Sequence, residues 1–231
     1  MGIIMVRKGL CAVVAAVVSV LVLASCGGGN GEKKAGEWVD LGLPSGTLWY
    51  SVNLGAGAPE EYGDCYAWGE TEEKDECTWE TYRWCNGAHE LLTKYCNSVT
   101  FAADSVTDQL EELEPADDVA TVVLGEGASI PTRYDWEELK SCTRSKWTTV
   151  NGVKGRKFSA HGKSIFLPAG GCQLGGERQG AETRGDYWSS SLNPYDPGNA
   201  WYFYFDEGGK YVSYYYRYYG RSIRPVRHVC Q

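Results

Sequence analysis

An alternation of apolar and tyrosine positions near the end of the chain gives the clearest prediction of a strand. Trp201, Phe203 and Phe205 alternate with Tyr202 and Tyr204, and a period of two residues is typical of a β-strand. The purely apolar set is predicted to face the core. Tyr202 and Tyr204 are therefore predicted to face outward.

Further strands are predicted on both sides of this alternating segment. Strand character continues through residues 187–191, 200–205, 210–216 and 222–227. Within residues 211–219 tyrosines occupy both alternating sets of positions, so a bulge or a loop is expected to interrupt the strand there.

Turn signals divide the earlier part of the chain into short strands. Pro44-Ser45-Gly46 lies between two short apolar segments and predicts a hairpin. Asn151-Gly152 joins Trp147–Val150 to Val153-Lys154 and predicts a second hairpin with a type I′ turn. The apolar segment Ser164–Gly171 predicts a buried strand that ends in a turn. Residues 62–70 are predicted to form another short strand, and residues 74–94 a long loop.

The first of two predicted helices covers residues 113–125. Pro115 suits the first helical position, and acidic residues follow it, where they favour the positive end of the helix dipole. Val119, Val122 and Val123 are predicted to form its apolar face.

The second predicted helix begins after Thr132. Thr132 and Asp135 have the spacing of a capping box, and Trp136 and Leu139 continue at helical spacing as far as Cys142. Strands, two short helices, then more short strands joined by long loops predict an α+β fold.

The N-terminus has the pattern of an exported lipoprotein. Residues 1–25 contain a basic start and a short apolar run, which is typical of a secretory signal peptide. The run ends in Leu23-Ala24-Ser25-Cys26, which resembles the bacterial lipobox and implies lipidation of Cys26. Residues 26–36 are predicted to be a flexible tether and residues 37–231 the folded domain. The alternative is a plain signal peptide with an incidental cysteine.

The charge of the chain argues against one class of partner. The net charge is −8, and cleavage after Ser25 would make it −10, because only two positive charges, Arg7 and Lys8, would be removed. An acidic protein repels the phosphate backbone, so we predict no nucleic-acid partner. Four arginines near the C-terminus suit either the sheet or a partner-facing surface: Arg217, Arg221, Arg224 and Arg227.

Seven of the nine cysteines would remain if Cys11 left with the leader and Cys26 were acylated. An odd number leaves at least one without a disulfide partner. We favour a local bridge between Cys85 and Cys96, and the alternative is that these thiols are small buried apolar groups. The seven are Cys65, Cys77, Cys85, Cys96, Cys142, Cys172 and Cys230.

Tyrosine is concentrated in one stretch, which we call the tyrosine-rich tail, about residues 185–227. It holds ten of the sixteen tyrosines, mixed with Ser, Asn, Asp and Gly, and this is the composition of a binding surface. Plain packing of an aromatic strand pair is the alternative. The predicted ligand-facing residues are Tyr195, Asp196, Tyr202, Tyr204, Tyr211, Ser213, Tyr214, Tyr215, Tyr218 and Arg221.

Sequence motifs for catalysis are not found in the chain. The three histidines are scattered, and neither H-E-x-x-H, G-x-S-x-G nor a phosphate-binding loop occurs. The acidic residues between Asp104 and Glu114 suit a solvated surface better than a calcium site. We therefore predict no catalytic residues, no metal and no cofactor.

Seven segments of the chain form an ordered set of motifs: Trp38–Trp49, Tyr66–Glu70, Leu92–Cys96, Ile130–Thr132, Ser164–Ala169, Tyr187–Ser190 and Ser222–Val226. This set resembles the motifs of a large group of lipoproteins from Bacteroides-type bacteria, the Fibrobacter succinogenes major paralogous domain group. The resemblance implies a C-type lectin-like fold, in the branch shared with formylglycine-generating enzymes. Within it, Trp188, Ser189, Arg224 and Pro225 match fixed positions and are expected to be scaffold.

The resemblance implies a lipid-anchored, receptor- or adhesin-like protein that binds an extracellular protein or glycan. Some similar proteins are variable proteins of diversity-generating retroelements, which mutate adenines in one segment of a gene. Asn codons mutated in this way yield Tyr, Ser, Asp and Gly, which matches residues 195–221. An undiversified surface is the other interpretation.

Two further hypotheses stay open: an enzyme of the formylglycine-generating branch and a structural subunit of a surface assembly. The paired cysteines of the enzymes are not matched, because only Cys230 lies near the C-terminus. The location implied is the bacterial outer membrane, at the cell surface or on the periplasmic face.

Overall fold

The computed structural model describes residues 36–229, in which fourteen strands form three sheets and two helices pack against them. The predicted signal peptide 1–25, the lipidation site Cys26 and the tether, except for residue 36, lie outside the described residues. No helix between residues 36 and 229 is long and apolar enough to cross a membrane.

The helices are α1 (Val119–Leu124) and α2 (Arg133–Cys142). The strands are β1 (Trp38–Asp40), β2 (Leu48–Tyr50), β3 (Cys65–Tyr66), β4 (Ala128–Ser129), β5 (Arg144–Val150), β6 (Val153–Ala160), β7 (Lys163–Pro168), β8 (Cys172–Leu174), β9 (Glu177–Gln179), β10 (Arg184–Leu192), β11 (Asn199–Asp206), β12 (Lys210–Tyr216), β13 (Gly220–Ser222) and β14 (Val226–Arg227). This composition confirms the predicted α+β class.

The largest sheet has seven strands and carries most of the tyrosine-rich tail. Its order is β12-β11-β10-β13-β8-β9, and β3 also pairs with β13. Strand β13 runs parallel to β10, where Tyr187 is paired with Ser222, and antiparallel to β8 and β3. Among the described strands, β12 lies at the edge of this sheet, and none of them pairs with its outer side.

Two smaller sheets complete the described part. One has the order β1-β2-β14-β4 and joins the start of the domain to its end. The other is β5-β6-β7, whose first hairpin turns at Asn151-Gly152 with φ of 48° and 87°. Positive φ at both residues is the signature of a type I′ turn, so this predicted hairpin is confirmed.

Aromatic residues of β11 pack under α2. The Trp136 ring stacks on Phe203, with centroids 4.7 Å apart and planes 7° apart, and Phe205 is also fully buried. The predicted inward direction of these two residues is confirmed. Trp201 shares their face but lies only partly buried, under the guanidinium of Arg133 at 4.6 Å. The prediction that Trp201 belongs to the core is therefore only partly confirmed.

The second predicted helix is confirmed as α2, with a complete capping box. The Thr132 side chain accepts from the Asp135 amide, and the Asp135 carboxylate accepts from the Thr132 amide at 2.8 Å. The side chains of Trp136 and Leu139 are buried, as predicted.

The first helix is shorter than predicted and exposes part of its supposed apolar face. It begins after Asp118, whose carboxylate accepts from the Thr121 amide at 3.0 Å and from the Ile130 amide at 2.8 Å. Pro115 lies in the preceding turn. Val122 and Val123 are exposed, so the predicted start and two of its three apolar contacts are wrong.

Three of the four C-terminal arginines are structural. Arg217 is fully buried, and its Nη1 donates to the carbonyl of Tyr95 at 2.8 Å, which fixes the long loop against the sheet. Arg221 and Arg224 are also buried. Arg227 lies half-buried over the Trp38 ring. Internal contacts, rather than a partner, therefore account for the three buried charges.

The predicted bridge between Cys85 and Cys96 is wrong. The Cys85 thiol donates to the carbonyl of Trp79 at 3.1 Å, and the Cys96 thiol donates to that of Ser98 at 3.2 Å. The six cysteines within residues 36–229 are all free thiols. Cys230 lies outside the described residues.

Candidate ligand-binding site

The pairing of β11 with β12 sorts the tyrosines onto two faces of the sheet. Tyr202 is opposite Ser213, and Tyr204 is opposite Tyr211, and directly paired residues share a face. Ala200 is opposite Tyr215, which places Tyr215 on the same side. This face, which includes five of the predicted ligand-facing residues, points away from α2.

Tyr214 lies on the other face of the edge strand. It is paired with Trp201, and the two rings are 5.3 Å apart. The predicted set is therefore not one continuous surface. Successive tyrosines of β12 point to opposite sides of the sheet, and Tyr214 and Tyr215 are both exposed.

A cavity of about 220 Å³ opens on the face that holds Tyr202. We call it the tyrosine cavity. Four tyrosines line its walls, and three charged groups, a thiol and an amide line the rest. Its lining residues are Cys172, Gln179, Arg184, Asp186, Tyr202, Tyr204, Tyr215, Tyr219 and Arg221.

The floor of the tyrosine cavity is an ion-pair network centred on Asp186. Arg221 Nη1 donates to Asp186 Oδ1 at 2.6 Å, and Arg184 Nε donates to Asp186 Oδ2 at 2.8 Å. Arg184 Nη2 also donates to the sulfur of Cys172 at 3.3 Å. Two guanidinium groups thus share one carboxylate.

Arg221 was predicted to face the ligand from the surface, but it is only 2% exposed. Its guanidinium lies 3.7 Å from the ring centroid of Tyr202 and 4.7 Å from that of Trp188. A guanidinium between two aromatic faces is held by cation–π attraction. Arg221 therefore belongs to the floor of the cavity, where its guanidinium packs against the Tyr202 ring.

The phenols on the rim of the cavity are held by neighbouring groups. Tyr204 donates to Asp206 Oδ2 at 2.9 Å. Burial and this hydrogen bond raise the pKa of Tyr204 to about 12, whereas the same hydrogen bond lowers the pKa of Asp206. The ring of Tyr219 packs 5.0 Å from that of Tyr215, and burial followed by the nearby phenols raises the pKa of Tyr219. The raised pKa values keep the Tyr204 and Tyr219 phenols neutral donors at ordinary pH.

The remaining predicted residues lie outside the cavity. Tyr195 is 90% exposed in the turn between β10 and β11. Next to it, the Asp196 carboxylate is 3.0 Å from His89 Nε2. Tyr218 packs against Trp79, with ring centroids 5.0 Å apart.

Sequence reasoning missed several residues of this surface. Trp79 and His89 come from the long loop and pack against Tyr216 at 5.8 and 5.6 Å. Arg184 and Asp186 were also missed, although alternation from Trp188 along β10 would have placed them on the face of the cavity. No comparable sequence pattern indicated Gln179, Cys172 or Tyr219.

The arrangement is suited to binding. Aromatic walls supply apolar contact, and the floor supplies fixed polar groups, which is the usual constitution of a ligand pocket. Within residues 36–229 no group of three or more His, Cys, Asp or Glu side chains is arranged to hold a metal ion.

Comparison with known proteins gives one result for this region. A family model described as a domain of unknown function, DUF8237, matches residues 139–226. The matched segment includes every residue that lines the tyrosine cavity. No curated protein and no solved structure matches the chain.

Proposed function

We propose that this chain is a lipid-anchored ligand-binding protein whose tyrosine cavity and edge strand β12 contact an extracellular glycan or protein. The observation that carries the proposal is the cavity itself, where Tyr202, Tyr204 and Tyr215 surround a fixed charged floor. Rigid aromatic side chains give a large contact area at low entropic cost. The edge strand adds exposed phenols beside the cavity.

The division between fixed and exposed residues supports the proposed C-type lectin-like fold. Trp188, Ser189 and Arg224, which the motif resemblance treats as scaffold, are fully buried. The tyrosines between them, such as Tyr211 and Tyr215, are exposed. A rigid frame that carries a variable surface has this distribution. We extend the proposal to membership of the Fibrobacter succinogenes major paralogous domain group and to anchoring at the outer membrane through Cys26.

Diversification of the tail by a retroelement is part of the proposal. Exposed tyrosines within residues 195–218 suit codons that adenine mutagenesis creates, whereas the buried Arg221 suits a fixed position. The DNA downstream of the gene tests this: a near-copy of the segment encoding residues 185–227 that differs at adenines, followed by a reverse-transcriptase gene, is expected. A downstream region without them would make the surface invariant.

Binding is favoured over catalysis by the contents of the cavity. Enzymes of the similar branch use paired cysteines, whereas Cys172 is the one thiol among the lining residues. That thiol accepts a hydrogen bond from Arg184 and is buried.

Binding is tested by screening the full-length protein in detergent micelles against a printed glycan array and a panel of purified mucin and matrix glycoproteins. A Tyr211→Ser, Tyr215→Ser double variant removes two exposed phenols from the face of the cavity. Any ligand found with the native chain is expected to bind this variant at least about tenfold more weakly, since loss of two aromatic contacts is worth well over 1.4 kcal/mol.

Tyr134→Ser is the control, because Tyr134 is also an exposed tyrosine but lies on α2, outside the cavity. It is expected to bind like the native protein. Equal binding by the double variant would locate the ligand elsewhere and sink the proposal, as would the absence of any ligand in both screens.

A further inference from the structure

We infer that the tyrosine cavity takes an acidic sugar, a uronate unit of a glycan, with its carboxylate directed to Arg184. This inference rests on the proposed function and names the class of ligand for the same cavity. It is argued from the charge of the floor, the hydrogen-bonding groups left free there, and the constitution of the walls.

The floor has two positive charges, on Arg184 and Arg221, and one negative charge, on Asp186. Arg221 and Asp186 are almost fully buried, with side chains 3% and 4% exposed, and form one complete ion pair. Arg184 shares the same carboxylate but keeps 35% of its side chain exposed. The rest of the chain is acidic, with a net charge of −8. The floor of the cavity is thus a local positive site that attracts an anion, with its excess charge on the partly exposed Arg184. The Asp206 carboxylate on the rim already accepts a hydrogen bond from Tyr204.

Donors in the floor also outnumber acceptors. Arg184 uses Nε for Asp186 and Nη2 for the thiol of Cys172, which is a weak acceptor. Arg221 Nε is buried without a hydrogen-bond partner. Arginine presents its donors as a planar fork that fits a carboxylate. A ligand carboxylate is therefore the group that Arg184 is best placed to receive.

The walls favour a sugar over an acidic peptide side chain. The cavity of about 220 Å³ is far larger than a carboxylate, and its phenol rings offer flat faces for the C–H face of a sugar. Gln179 and the phenols of Tyr215 and Tyr219 both donate and accept hydrogen bonds. A carboxylate only accepts, whereas sugar hydroxyls use both functions.

The test measures binding of methyl β-D-glucuronide, methyl β-D-glucoside and N-acetyl-glutamate methylamide to the full-length protein in micelles, by calorimetry or ligand-observed NMR. The glucuronide is expected to bind at least about tenfold more tightly than the other two probes. Arg184→Gln is expected to weaken glucuronide binding about tenfold, because it removes a charge-assisted hydrogen bond to the ligand carboxylate. It should leave the weak glucoside binding unchanged.

Arg144→Gln serves as the control, since Arg144 is exposed on β5, away from the cavity. A glucoside bound as tightly as the glucuronide would remove the role of charge. A glutamate derivative bound as tightly or more tightly would make the ligand an acidic peptide. Either result overturns the inference, and so does an Arg184→Gln variant that binds the glucuronide with native affinity. The proposed function would still be upheld if the Tyr211→Ser, Tyr215→Ser variant lost the ligands found in the screens.

Discussion

Arg224 donates a hydrogen bond from Nε to Oδ1 of Asn53, a residue 171 positions earlier, at 2.9 Å. Its other nitrogens donate to the carbonyls of Tyr50 at 3.0 Å and Phe166 at 2.9 Å. The guanidinium is fully buried, and burial lowers its pKa to about 10. One side chain therefore joins the N-terminal strands, the three-stranded sheet and the end of the chain.

Arg224→Leu is expected to destabilise the fold by about 3 kcal/mol or more, because three buried acceptors would lose their donor at once. Urea unfolding followed by tryptophan fluorescence measures the effect. Arg144→Leu, at an exposed arginine, is expected to stay within about 0.5 kcal/mol of the native protein. Similar losses in the two variants would show that the buried network contributes nothing particular.

Tyr202 and Tyr211 occupy the same face but should differ in their effect on stability. Tyr202 covers the buried Arg221 guanidinium at 3.7 Å, whereas Tyr211 is 58% exposed. Tyr202→Ala is expected to cost about 2 kcal/mol, because it opens a cavity and removes a cation–π contact. Tyr211→Ala is expected to cost less than about 0.5 kcal/mol.

Thermal unfolding of both variants checks this difference. The sequence alone predicted that Tyr202 faces outward, and the contact with Arg221 shows that its ring also covers a buried side chain. A Tyr202→Ala protein as stable as Tyr211→Ala would show that Arg221 is held without the ring.

The pair of His228 and Asp135 should make stability depend on pH. His228 Nε2 lies 3.0 Å from Asp135 Oδ1. This hydrogen bond raises the pKa of His228 despite its partial burial. Burial acts to raise the pKa of Asp135, but the hydrogen bonds from His228 and Thr132 outweigh it and lower that pKa.

The signs define a window of pH. The His228 contribution is fully present below its ordinary pKa of 6.5 and is lost as pH rises through the raised value. The Asp135 contribution is present above its ordinary 3.8 and is lost as pH falls through the lowered value. Stability lost in His228→Ala should therefore be largest between these ordinary pKa values and should shrink in alkali. Urea unfolding of the native protein and of His228→Ala at several pH values measures this difference in stability. A difference that stays the same at every pH would contradict the ion pair.

Local signals in the sequence were enough to predict the local structure. The α2 capping box spans Thr132 to Asp135, and the type I′ turn is contained in Asn151-Gly152, so neither depends on distant residues. The predicted start of the first helix was wrong because it depends on a distant residue. Asp118 accepts from Ile130, twelve residues later, and this contact starts α1 after the position that Pro115 suggested.

The cavity was predictable only in part, because its floor is assembled from distant strands. Alternation in β11 correctly separated Tyr202 and Tyr204 from Phe203. The insertion of β13 between β10 and β8 is a non-local pairing that short-range patterns do not encode. That pairing places Arg221 beside Asp186, and it turned a residue predicted to be exposed into a buried one.

The free thiols should differ widely in reactivity. Cys142 is exposed at the end of α2, whereas Cys65 and Cys77 are buried. Burial raises the pKa of Cys65 and of Cys77 to about 11, and the thiolate is the reactive form. At about pH 8, iodoacetamide is expected to modify Cys142 at least about a hundredfold faster than either buried thiol, as measured by peptide mass spectrometry of timed samples.

Cys142→Ser should remove the fast phase of this labelling, and urea should bring Cys65 and Cys77 to the rate of an ordinary thiol. Fast labelling of Cys65 or Cys77 without urea would mean that β3 and its neighbouring loop open readily, which is incompatible with the closed packing beneath β13.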